Sequence, residues 1–284
     1  MLKIALPIVT IALLISCNQQ KSADGAAYWA SVDSLSYSTH EHKKQLFECD
    51  EPGKPCVKVE LFRLQIESEG AAADSIKQQV NKRFLNLYGE EQEGQTVHFH
   101  VDDVMNDFID EYAMIVHDMP DYSAEWILER TAEVNFNKLG VFGVSFIDFS
   151  YTGGAHGNSL LLYSNFSTAH GAAIHLEDLF HYGDSMRQQT ELLFRRSQNI
   201  SVNTPLNDAG FFFDEQGFYL PDNFFLSDLG VHFFYNPYEI APYSYGAIEF
   251  FMTWKDCEPF LKADWKHLAE ILKGVDSQST PTEA

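Results

Sequence analysis

Three runs of alternating apolar and polar residues, separated only by short breaks, constrain this chain more than any other feature. Trp126, Leu128, Arg130, Ala132, Val134 and Phe136 alternate with polar residues, Val141 to Tyr151 forms a second run, and Leu160 to Phe166 a third. Side chains of a strand point to opposite faces in turn, so this period of two predicts strands, and loops this short join antiparallel neighbours. The segment YTGGAHG, Tyr151 to Gly157, then becomes the hairpin between the second and third strands. Its Gly153 and Gly154 supply the positive φ that a tight connection needs.

Either side of this meander the period changes. Val57, Val59 and Leu61 give way to Phe62, Leu64 and Ile66, which predicts a strand that changes its buried face at a bulge. Ile76, Val80, Phe84, Leu87 and Tyr88 share one helical face behind Asp74 and Ser75, either of which suits a cap. A longer helix is predicted from about Val101 to Met119, with Asp102, Asp103, Asp107, Asp110 and Glu111 on its solvated side. Later, Leu176–Phe180 and Ser185–Ser197 read as helical, Leu229–Tyr235 and Ile248–Trp254 as strands, and Asp264–Leu272 as a closing amphipathic helix. Pro237 and Pro242 make the intervening NPYEIAPYSYG an ordered crossover rather than a central strand. The fold class expected is α+β, an antiparallel sheet meander packed with helices, in two sequential subdomains over 45–168 and 169–273. A tether and N-terminal extension occupy 18–44, and a disordered tail 274–284.

The first residues, MLKIALPIVTIALLISC, combine one lysine, an apolar run too short to span a bilayer comfortably, and a small residue before Cys17. That pattern predicts a lipoprotein signal peptide over 1–17 and a mature chain lipidated at Cys17. The anchor would be acyl chains at a membrane surface, with the body on the extracytoplasmic side as a periplasmic or outer-membrane lipoprotein. Export favours oxidised thiols, so Cys49 and Cys56, which bracket the turn-rich CDEPGKPC, are expected to form a disulfide. Cys257 is left as a small buried hydrophobe. The formal net charge of −22 disfavours nucleic acid as a partner and favours a cationic one.

Few residues are spaced for chemistry. His156 has Asp148 on the preceding strand and Ser159 beyond it, enough for a triad on paper, but no G-x-S-x-G elbow fixes the geometry. His98 and His100 would share a strand face with Asp102 next, a trio zinc accepts, yet Asp102 opens the long helix. His170, His175 and His181 lack ligand spacing. No catalytic residue, metal ligand or cofactor is therefore assigned.

The segments YTGGAHG, HGAAIHLEDLF from His170 to Phe180, and above all GVHFFYNPYEIAPYSYGAIEFFM from Gly230 to Met252 resemble the RsiV-like and PdaC-like extracytoplasmic domains, domains of unknown function. The cysteine-bracketed loop ahead of CVKVELFRLQI resembles their lipoprotein members, and the likeness spans most of 45–255. It implies an α+β body shared by an anti-sigma factor that binds lysozyme and by the noncatalytic part of a peptidoglycan deacetylase. The chain departs from both: a lipoprotein signal replaces the transmembrane segment, and no TFDDGP-type metal motif occurs. The expected function is a noncatalytic binding module for an envelope glycan or for a cationic protein such as lysozyme, with a peptidoglycan- or polysaccharide-active hydrolase or deacetylase as the alternative. Gly153, Gly154, His156, Asn158, Tyr238 and Tyr243 are the expected binding residues.

Overall fold

The computed structural model describes residues 34–49, 53–88, 96–214 and 217–276. The expected signal peptide, the lipidation expected at Cys17 and the tail beyond 276 lie outside the described residues, and no helix among the described residues is long and apolar enough to cross a membrane.

The architecture is α+β. A six-stranded sheet runs in the order β1 (Tyr37–Leu46), β2 (Cys56–Ile66), β3 (Glu125–Lys138), β4 (Val141–Tyr151), β5 (Asn158–Ser167), β6 (Ala173–Ile174). The three alternating runs form β3, β4 and β5, antiparallel as their spacing requires. β2 instead runs parallel to β3. The reason lies in the connection, which carries the helices α1 (Ala71–Leu85) and α2 (Val101–Asp118) and so brings the chain back to the end at which β2 began, with Glu125 beside Cys56. Ile76, Val80 and Phe84 of α1 and Val104, Met105, Ile109 and Tyr112 of α2 are buried in one core with Val57, Val59, Leu61, Trp126 and Phe146.

Two local expectations are corrected. β2 keeps an unbroken register with β1 from Tyr37↔Ile66 to Leu46↔Val57, so it has no bulge there. Its buried face changes where its pairing with β3 ends, at Phe62↔Thr131. The register shift lies in β3, between Val134 and Phe136. Helix α1 begins earlier than its apolar face suggests, with Gly70 rather than Asp74 or Ser75 at its N-cap. Ser75 is used elsewhere, donating from Oγ to the Gly171 carbonyl at 2.9 Å.

A second, antiparallel sheet contains β7 (Phe224–Leu226), β8 (Gly230–Tyr235) and β9 (Ile248–Thr253). Its inner face, with α3 (Leu176–Leu179), α4 (Asp184–Ser197), α5 (Trp254–Cys257) and α6 (Ala263–Asp276), encloses an aromatic-rich core centred on Phe194. That ring meets Phe211, Phe213, Phe218, Tyr235 and Phe250. Cys257 is buried here as a free thiol, and α6 continues four residues past Leu272 to Asp276.

The halves are joined along β5. Asn223 accepts the Tyr163 N–H and donates to the Leu161 carbonyl, both at 2.8 Å. Asn236 takes the Leu161 N–H at 2.8 Å and donates to the same carbonyl at 3.0 Å. Buried Asn165 donates to the Phe224 carbonyl at 2.9 Å. Amide side chains thus stand in for a neighbouring strand along an edge that would otherwise leave polar backbone unpaired.

Candidate functional site

The hairpin YTGGAHG lies against this joint. Its tip is the six residues between Tyr151 and Asn158, with Gly153 at φ 82° and Gly154 at φ 117° as expected of the glycines. The tip is braced: the Tyr122 hydroxyl donates to the Thr152 carbonyl at 3.2 Å, and the Tyr151 hydroxyl to the Gly154 carbonyl at 3.1 Å. The His156 ring lies flat on Tyr243, centroids 3.9 Å apart and planes within 11°. The Tyr243 hydroxyl donates to the Gly157 carbonyl at 3.2 Å, and Tyr238 packs 5.4 Å from the Tyr243 ring.

NPYEIAPYSYG supplies the other wall. Asn236 fixes its start on β5, and Pro242 precedes the 3₁₀ turn Tyr243–Tyr245. Between the crossover and β5 opens a mostly apolar groove of about 620 Å³, lined by Ile147, Leu160, Leu161, Phe234, Tyr243 and Tyr245 among others. Tyr238, 59% exposed, holds a left-handed φ of 70°, a conformation that costs a residue with a Cβ about 1–2 kcal/mol. Such strain persists only where its surroundings enforce it.

Three of the six expected binding residues, His156, Tyr243 and Tyr238, therefore meet at one place, although the two tyrosines are far from the hairpin in sequence; Gly153 and Gly154 lie in the same hairpin tip, with Gly153 facing Tyr122. Asn158 hydrogen-bonds Tyr88 instead. His156 is not joined by Asp148 and Ser159. Its Nδ1 contacts the Gly157 carbonyl at 2.9 Å, whereas Asp148 is held by Arg130 and Tyr88. The His98, His100 and Asp102 trio is also dispersed: His98 pairs with Asp107 at 3.0 Å, and His100 caps α2. Among the described residues the cluster with converging metal-ligand atoms is Cys49, Cys56 and Glu125, and its sulfurs are joined in the expected disulfide.

A second cleft, of about 340 Å³, lies between α1, α2 and the β3–β4 pair. At its floor Arg130 Nε donates to Asp148 Oδ1 at 2.6 Å, both side chains almost fully buried. Arg130 Nη1 donates to the Phe84 carbonyl at 2.8 Å, and Tyr88 donates to Asp148 Oδ2 at 3.0 Å. Burial, reinforced by the Asp148 charge, pushes the Tyr88 hydroxyl up to about 12. The sequence carried a partial signal, since Arg130 and Asp148 each fall in the apolar phase of their strands; the register that sets them opposite one another comes from the fold.

Residues 52–159 match the family model described as "Deacetylase PdaC", and residues 177–255 match the model "Protein of unknown function (DUF3298)". The resemblance to PdaC-like domains and to domains of unknown function is thus borne out over these two segments. No match exists among curated proteins. A solved DUF3298-family protein from Bacteroides fragilis superposes with a TM-score of 0.63 at 20% identity, covering 86% of this chain and 99% of that one. A DUF3298-family protein from Pseudomonas aeruginosa superposes with a TM-score of 0.56 at 18% identity, covering 82% and 97%. At these identities the likeness is one of fold.

Proposed function

We propose that this protein is a lipid-anchored component of the cell envelope whose aromatic groove binds envelope glycan without transforming it. The observation that carries the proposal is the convergence of His156, Tyr238 and Tyr243 beside an apolar groove, with Tyr238 held exposed at a strained φ. Sugar rings present apolar C–H faces that stack on exposed aromatic rings, while tyrosine hydroxyls meet their polar edges. The lipoprotein-type leader and the disulfide fit an oxidising, extracytoplasmic setting. A catalytic role at His156 lacks support, because its neighbours are an aromatic ring and a carbonyl rather than an acid and a nucleophile.

The net charge of −22 favours a second reading, in which the same surface takes a cationic protein such as lysozyme. Co-sedimentation with purified peptidoglycan, set beside lysozyme capture at low and high salt, separates the two. Glycan binding predicts sedimentation that is insensitive to salt and lost in Tyr238→Ala. Capture of lysozyme that weakens with salt, with no sedimentation, transfers the function to the cationic partner. Absence of both contradicts the proposed function.

A further inference from the structure

The outer face of the second sheet carries a relay of side chains separate from the aromatic groove. Register places Phe225 opposite His232 across β7 and β8, and His232 opposite Phe251 across β8 and β9. The imidazole is stacked between the two rings, with centroids at 4.3 and 5.2 Å and planes within 15° and 20°. Held in this way, His232 Nε2 lies 2.8 Å from Ser227 Oγ, and its Nδ1 lies 2.7 Å from Glu249 Oε1. One ring nitrogen faces a hydroxyl and the other a carboxylate, the order of contacts by which an acid–base pair activates a serine. A carboxylate that accepts Nδ1–H fixes the tautomer, and Nε2 is then free to take the hydroxyl proton.

Ser227 occupies the turn from β7 to β8, and two backbone N–H groups, of Leu229 and Gly230, point at its Oγ from 3.1 and 3.3 Å. They offset the negative charge that develops on that oxygen when its proton leaves. The turn opens onto a groove of about 570 Å³, walled by Phe136, Lys138, Phe225 and Leu229 among others. A nucleophile, a base, a carboxylate that orients the base, and room for a small substrate are therefore present together.

We infer that Ser227 is the nucleophile of an acyl-ester hydrolase site, with His232 as general base and Glu249 as its positioning residue. Ser227 Oγ bonds to the carbonyl carbon of a carboxylic ester as its proton passes to His232 Nε2. The ester C–O bond then breaks, and the departing alcohol takes that proton. Water, deprotonated in turn by Nε2, attacks the acyl-serine, releases the carboxylic acid and restores the hydroxyl. An ester suits the site better than an amide. The Glu249 side chain is 47% exposed, so the relay borders solvent and stabilises charge less than a sealed site does.

The test is labelling of the purified full chain with an alkyl fluorophosphonate, followed by intact mass and peptide mapping. A single adduct on Ser227 is expected, with loss of fluoride, in folded but not in denatured protein. His232→Gln should slow labelling by a factor of about 10² or more, the usual contribution of a positioned base. No adduct on the folded wild-type chain, an adduct on another residue, or labelling of His232→Gln at the wild-type rate would each overturn the inference. Mapping on the wild-type chain decides the matter even where the variant misfolds. Failure here leaves the glycan proposal untouched, because neither Tyr238 nor sedimentation enters the assay.

Discussion

Residues differ in what their replacement should reveal. Gly153 and Gly154 both need a positive φ, but a Cβ on Gly153 would also meet the Tyr122 hydroxyl at 2.7 Å, whereas Gly154 faces open space. Gly153→Val should therefore cost more than Gly154→Val, both within roughly 1–3 kcal/mol, as two melting curves will show. Arg130→Ala leaves Asp148 buried and unpaired, and should cost about 3–5 kcal/mol in denaturant titration. Tyr88 gives a pH signature of definite sign. Its hydroxyl is raised in the folded state to about 12, against about 10 for a free tyrosine. The folded chain thus holds this proton more tightly, and the stability linked to it is complete below pH ~10 and lost as pH rises through about 12. Alkaline titration of phenolate absorbance should show one late-ionising group fewer in Tyr88→Phe. At this scale the sequence revealed the hairpin glycines, but it set Asp148 beside His156, whereas the fold pairs it with Arg130. It concealed the Ser227–His232–Glu249 relay, because two of those residues meet across strands 17 positions apart, a register that periodicity does not specify.

Secondary elements were legible where an apolar face had to be buried. β3, β4, β5 and α2 fall close to where their patterns put them, since a shift of one residue would turn each strand inside out. β1 escaped notice because YSTHEHKKQL is an edge strand, mostly exposed and polar, with little alternation to read. The parallel pairing of β2 with β3 escaped for another reason: strand direction follows from what the connection carries, not from the strand's own residues. The disulfide Cys49–Cys56 closes the turn between β1 and β2. A loop this short constrains the unfolded chain modestly, so Cys49→Ser with Cys56→Ser should lower stability by about 2.5 kcal/mol at most. Denaturant midpoints of the two proteins check this, and a far larger loss would mean that the bridge also positions Glu125 or the Cys56 N–H that meets Tyr112.

The whole molecule is two cores tied along one strand, and its candidate binding surface exists because of that tie. The hairpin comes from the first sheet and the crossover from the second, so neither half alone builds the groove. The sequence supplied the participants, His156, Tyr238 and Tyr243, but not their meeting, which depends on Asn223 and Asn236 docking on β5. The strained backbone at Tyr238 turns this account into a sharp contrast between stability and function. Glycine adopts a φ of 70° without the steric cost that tyrosine bears there, so Tyr238→Gly should recover up to about 1–2 kcal/mol, less the roughly 0.5–1 kcal/mol of extra chain entropy that glycine loses on folding, while removing the exposed ring. Calorimetric titration of this variant and the wild-type chain with soluble peptidoglycan fragments, alongside their melting curves, is the most direct test. The account predicts a variant that melts at higher temperature and binds at least tenfold more weakly, whereas a variant that melts higher and binds as tightly as wild type would contradict it.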